Sequence, residues 1–200
     1  MEIYSLNLDT DDLEQLTVND GTVDKHPAVS ADGTKIAFVS ERSGDWGIHT
    51  MNVDATGISD VLVSLTDSTW GHPSWSPDGT KIAYDDNYDI FTVNSDGSGV
   101  VNFTDTQFEV EYTPAWSPDG TQIAYSGEEG SNYEILIVNS DGSGTPTNLT
   151  NSGEDESFPS WSSEGIAFVK GDDIFSLVPG SVDTHDLRVD DTAVDKGPAW

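Results

Sequence analysis

The stretch PSWSPDGTKIAY, residues 73–84, has close relatives elsewhere in the chain. They are PAVSADGTKIAF at 27–38, PAWSPDGTQIAY at 114–125 and a shortened PSWSSEGIAF at 159–168. The prolines that open these units, together with Pro198, are separated by 46, 41, 45 and 39 residues. A unit of this size cannot enclose a core by itself, so its repetition implies that neighbouring units bury one another.

Each unit contains two turn signals. In Ser76-Pro77-Asp78-Gly79, proline presets φ at the second turn position and glycine takes the site that follows. Ser95-Asp96-Gly97 and Ser140-Asp141-Gly142 carry the Asp-Gly signal of a hairpin. Between the turns, Ile82, Tyr84, Ile90 and Val93 supply the β-branched and aromatic residues of strands, and no segment keeps a helical period. Four short antiparallel strands repeated every forty-odd residues predict the blades of an all-β propeller. Trp75, Trp116, Trp161 and Trp200 recur at one place in the unit and are the predicted wedges between blades. Val29 stands there in the first unit and predicts a looser contact.

The P-x-W-S-P-D-G-x-x-I-A-[YF] units, with their trailing [DE]-I-[YF] and L-T segments, resemble the TolB-type propeller repeat, which also occurs in propeller domains of prolyl oligopeptidase relatives. Glu2-Ile3-Tyr4 and Leu16-Thr17 fit the second half of a unit, so the resemblance covers almost the whole chain. It divides the sequence into strands C and D of a closing blade (1–25), blades at 26–71, 72–112, 113–157 and 158–196, and a final strand A (197–200). The expected architecture is a ring of about five four-stranded blades. Its closing blade is shared by both termini and incomplete, lacking strand B. A piece of a longer, six- or seven-bladed propeller is the alternative left open.

The composition narrows the function. Seven Lys and Arg against 37 Asp and Glu give a formal charge of −30. This excludes nucleic acid as a partner and favours cations or basic protein surfaces. With no cysteine, neither disulfides nor thiolate metal sites can form. No apolar run is long enough to cross a bilayer as a helix. The opening MEIYSLNLDT lacks the basic head and apolar run of a secretory signal, while the resemblance favours a periplasmic or extracellular setting. No G-x-S-x-G elbow, H-E-x-x-H, phosphate loop or dinucleotide fingerprint appears.

One pattern singles out side chains. Three residues before each anchor proline lie Asp24, Trp70, Glu111, Glu156 and Asp195. The chain passes there from the rim of one blade to the axis at the next, so these residues are expected around the channel mouth. The carboxylates Asp24, Glu111, Glu156 and Asp195 could cap strand A, receive a basic side chain of a partner, or hold a hard cation such as Ca²⁺. Trp70 would add an aromatic anchor. His26 and His72, each directly before its proline, are expected near each other at the inner rim. Asp85-Asp86, Glu128-Glu129 and Asp172-Asp173 read as outward-facing charge in strand B–C connections. The function expected is a non-catalytic scaffold binding a protein or peptide at its loop face, and the incomplete blade offers a route to self-association. The alternatives are a metal-dependent propeller enzyme and the propeller lid of a larger peptidase.

Overall fold

The computed structural model describes residues 1–18, 21–66, 70–105 and 109–180 in full, and the backbone of 184–186. All regular structure among them is strand. A two-stranded hairpin comes first, β1 (Tyr4–Leu6) against β2 (Leu13–Gln15). The first blade follows as β3 (Asp24–Val29), β4 (Lys35–Ser40), β5 (Gly47–Asn52) and β6 (Val63–Ser64). The second has β7 (Ser74–Trp75), β8 (Lys81–Asp86), β9 (Asp89–Asn94) and β10 (Val101–Asn102). The third has β11 (Glu111–Trp116), β12 (Gln122–Glu129), β13 (Asn132–Asn139) and β14 (Thr147–Asn148). The fourth has β15 (Glu156–Ser162), β16 (Gly165–Lys170), β17 (Asp173–Leu177) and β18 (Thr184–Asp186). Within each blade every strand pairs antiparallel with its sequence neighbour. The expected β-propeller of four-stranded antiparallel blades is thus observed in four blades plus a hairpin. Trp200, Asp195 and the final strand A expected at 197–200 lie outside the described residues.

Three of the repeated tryptophans, Trp75, Trp116 and Trp161, sit in contacts between blades. Trp75 enters a buried cluster with Ala37, Val39 and Ile48 of the first blade, and its indole Nε1 donates to the Ala28 carbonyl at 3.1 Å. Trp116 packs with Ala83 and Ile90 of the second blade, and Trp161 against Ala124, Ile135 and Ile137 of the third. Each seam is therefore filled by the wedge of the later blade and the middle strands of the earlier one. The hairpin seats Ile3 and Leu16 on Ile36, Phe38 and Met51 of the first blade, as strands C and D of a preceding blade would. Val29, at the matching place of the first blade, is 58% exposed.

The anchor prolines explain a shared irregularity. Proline has no N–H for the ladder, and the pairing of the first strand shifts across Lys25/Ala28, Tyr112/Ala115 and Ser157/Ser160. The residue before proline takes a left-handed backbone in all three, with φ of 51° at His26, 53° at Thr113 and 55° at Phe158. In the second blade Gly71 takes the left-handed conformation instead, at φ 91°, and the regular first strand shrinks to two residues.

Candidate functional site

The four first strands converge on one cavity of about 800 Å³, the central channel. Pro27, Pro73, Pro114 and Pro159 line it, as do Ala31, Pro77, Pro118 and Ser163 from the turns between first and second strands. Those turns therefore rim one of its mouths. In three of them an exposed aspartate sits directly beside the lining residue: Asp32, Asp78 and Asp119. Each turn is built alike. Asp32 accepts from the Ser30 hydroxyl and from the Thr34 amide and hydroxyl through Oδ1. Asp78 does so from Ser76 and Thr80, and Asp119 from Ser117 and Thr121. These bonds hold all three carboxyls below the usual aspartate range, led by the serine hydroxyl for Asp32 and Asp78 and by the Thr121 amide for Asp119. Asp78 and Asp119 also border a smaller hollow of about 240 Å³ between the second and third blades. The motif S-x-D-G-T-[KQ] was legible as a turn. That the turn reaches the channel follows only when it is set against the axis.

The acids placed by sequence before the prolines sit elsewhere. Asp24, Glu111 and Glu156 are buried, and none of them lines the channel. Each begins a first strand inside a seam. Asp24 receives Arg42 Nη2 at 2.8 Å on both oxygens. Glu156 receives Lys170 Nζ at 3.0 Å and the Ser152 hydroxyl, and burial raises its carboxyl above the usual range. Glu111 has no cationic side chain against it among the described ion pairs, its Oε2 has no hydrogen-bond partner, and burial pushes it up to about 7. Among the described residues no group of three or more His, Cys, Asp or Glu is placed to hold a metal ion. The four-carboxylate calcium ring is therefore not assembled by Asp24, Glu111 and Glu156, while Asp195 is outside the described residues. Trp70 is half-buried, edge-on to Tyr88 with ring centroids 5.1 Å apart.

The seam acids belong to a network that the sequence repeats as [DE]-I and L-T. The Thr17, Thr104 and Thr150 hydroxyls accept from the amides of Ile3, Ile90 and Ile135 in turn. Thr17 donates to Glu2 and Thr150 to Glu134. In these three cases the threonine that follows the last strand ties it back to the third-strand segment of its own blade.

The two histidines do meet. His26 and His72 stack with centroids 4.2 Å apart and planes 17° from parallel. His72 Nδ1 lies 2.9 and 3.0 Å from the carboxylate oxygens of Asp85, whose Oδ1 also accepts the His72 amide. Asp85 is fully buried, a correction to its reading as outward charge: the short first strand of this blade leaves the His72 amide for its carboxylate to satisfy. Burial, then the neighbouring imidazole of His72, lowers His26 to about 4, so the stack carries no charge on His26 at neutral pH.

Comparison with known proteins agrees with this architecture. A Protein TolB homolog of Chlorobium luteolum is 35% identical over 100 residues, which take in 48% of this chain and 22% of that protein. The chain thus spans a minor part of the length of the curated relatives it matches. The structure of putative TolB from Agrobacterium tumefaciens superposes with a TM-score of 0.80 at 22% identity, covering 92% of this chain and 73% of that one. An oligogalacturonate lyase from Vibrio parahaemolyticus does so with a TM-score of 0.67 at 15% identity, covering 93% and 59%. At these identities the two structures speak for the fold alone, and one fold serves unlike tasks. The model of the TolB beta propeller domain matches residues 1–165, and the chain belongs to that family.

Proposed function

We propose that the chain is a non-catalytic scaffold that binds a basic protein or peptide segment at the channel mouth, in a periplasmic or extracellular setting. One observation carries this reading: four first strands converge on one cavity, and in three blades the turn that reaches it carries an aspartate next to a lining residue, Asp32, Asp78 and Asp119, held ionised by its own turn. Fixed carboxylates beside an apolar-walled channel attract a lysine or arginine while leaving room for the rest of an extended segment. The net charge of −30 adds long-range attraction for such a partner.

The test is calorimetric titration of an extended lysine-rich peptide and of its glutamate-substituted counterpart. Binding of the first only, weakening as salt rises, is the expected result. Replacing Asp32, Asp78 and Asp119 together by Asn keeps an acceptor oxygen for each turn and should cost at least tenfold in affinity. Equal binding by the triple variant would sink the reading.

The hairpin edge favours a second contact. No described strand pairs with the free edge of β1, whose Tyr4 and Leu6 are half exposed. An unpaired edge of this kind accepts an added strand. Light scattering that shows only monomers up to high protein concentration would remove self-association.

A further inference from the structure

Three seams of the ring are built on the same plan, and in two of them the blade supplies its own cation. Asp24 of β3 is met by Arg42, two residues beyond its register partner Ser40. Glu156 of β15 is met by Lys170, its direct register partner on β16. The register partner of Glu111 is Gly127, which has no side chain, and the next two residues are Glu128 and Glu129. Between Arg42 and Lys170 the sequence holds a single lysine or arginine, Lys81. Its Nζ is engaged with Asn94 Oδ1 at 3.2 Å, where the turns of the second blade lie. Neither blade at this seam therefore has a lysine or arginine to give Glu111, and His72 is engaged with Asp85.

The seam nevertheless concentrates oxygens. Glu111 is 3% exposed and Asp89, beginning β9 of the preceding blade, 8%; the Glu111 amide donates at 2.9 Å to the carbonyl of Tyr88, the residue before Asp89. The Thr104 hydroxyl accepts from the amide of Ile90, the residue after Asp89, at 3.0 Å, and Asn102 Nδ2 donates to Asp89 Oδ2 at 2.8 Å. Among the described residues, two buried oxygens at this seam have no hydrogen-bond partner: Glu111 Oε2 and the hydroxyl of Tyr125, on β12. Glu111 is the charge that acts most strongly on that phenol. A buried anion without a counter-ion is costly, and hard cations answer such a set of carboxylate and hydroxyl oxygens.

We propose that this seam is a binding site for a hard divalent cation of the Ca²⁺ type, with Glu111 and Asp89 as its charged ligands and the Thr104 hydroxyl as a neutral one. The ion does for the second and third blades what Arg42 and Lys170 do inside the first and fourth. The site lies apart from the channel and does not depend on the channel's partner.

Thermal melting of the chelator-treated protein at pH 7.5 and 0.2 M NaCl, with Ca²⁺ raised from micromolar to millimolar, tests it. At a hundredfold excess over Kd the melting temperature should rise by about 5–10 °C. Glu111→Gln and, independently, Asp89→Asn should abolish the rise, while Asp141→Asn, at an exposed turn, should keep it. A rise that survives Glu111→Gln or Asp89→Asn would overturn the proposal, as would a flat wild-type titration. A melting temperature indifferent to Ca²⁺ but rising as pH is lowered through 7 would show a proton in the ion's place and would overturn it equally.

Discussion

Arg42 shows how much can rest on one side chain. Its guanidinium lies against both oxygens of a fully buried carboxylate, and Phe38 packs beneath it with its ring centroid 5.0 Å away. Removing one partner of such a pair leaves a buried charge uncompensated, at about 3 kcal/mol or more. Arg42→Ala should therefore lower unfolding free energy by about 3 kcal/mol in urea titrations, and Asp24→Asn with Arg42 retained should cost less. Glu111 gives a pH signature with the opposite sign to an ordinary acid. Its folded value, about 7, lies above that of the unfolded chain, so the stabilising proton is fully bound below about 4.5 and lost as pH rises through 7. With divalent ions chelated, wild-type melting should fall between pH 5 and 8, and Glu111→Gln should flatten that limb.

These residues also mark the limit of what could be read from sequence. That Asp24, Glu111 and Glu156 share one place in the repeat was visible at once. Whether that place faced the channel or the seam was not, because the backbone turns left-handed just before each proline and directs the preceding carboxylate inward between sheets. His26 and His72 were legible as neighbours from their shared position, whereas the burial of Asp85 depended on the shortened strand β7.

At the scale of elements, nearly all the strand and turn chemistry was legible in the sequence, since Pro, Asp-Gly and alternating Ile and aromatic residues act locally. The seams were legible too, through the recurrence of one bulky indole. Trp75→Ala removes a wedge shared by two sheets and should cost about 3–5 kcal/mol, with earlier loss of near-ultraviolet ellipticity on heating. Val29→Trp restores the repeat at its one exception yet should change stability by no more than about 0.5 kcal/mol, because the site is exposed. A large gain there would mean that another strand covers Val29.

For the molecule as a whole, charge is the dominant long-range force. Thirty uncompensated negative charges on 200 residues repel one another in the compact state. Added sodium chloride should therefore raise the melting temperature between low salt and 0.5 M, as calorimetry would register, while weakening attraction to a basic peptide.

The direction in which the seams are filled has a consequence for biogenesis. Every blade pairs only strands adjacent in sequence, so a sheet can finish its ladder as soon as its own residues have left the ribosome. The indole that glues it belongs to the newcomer and docks on a surface already made by its predecessor. Synthesis from the N-terminus thus presents each later blade with a ready platform, and a nascent chain halted after the third blade should already hold native-like sheets in the first two.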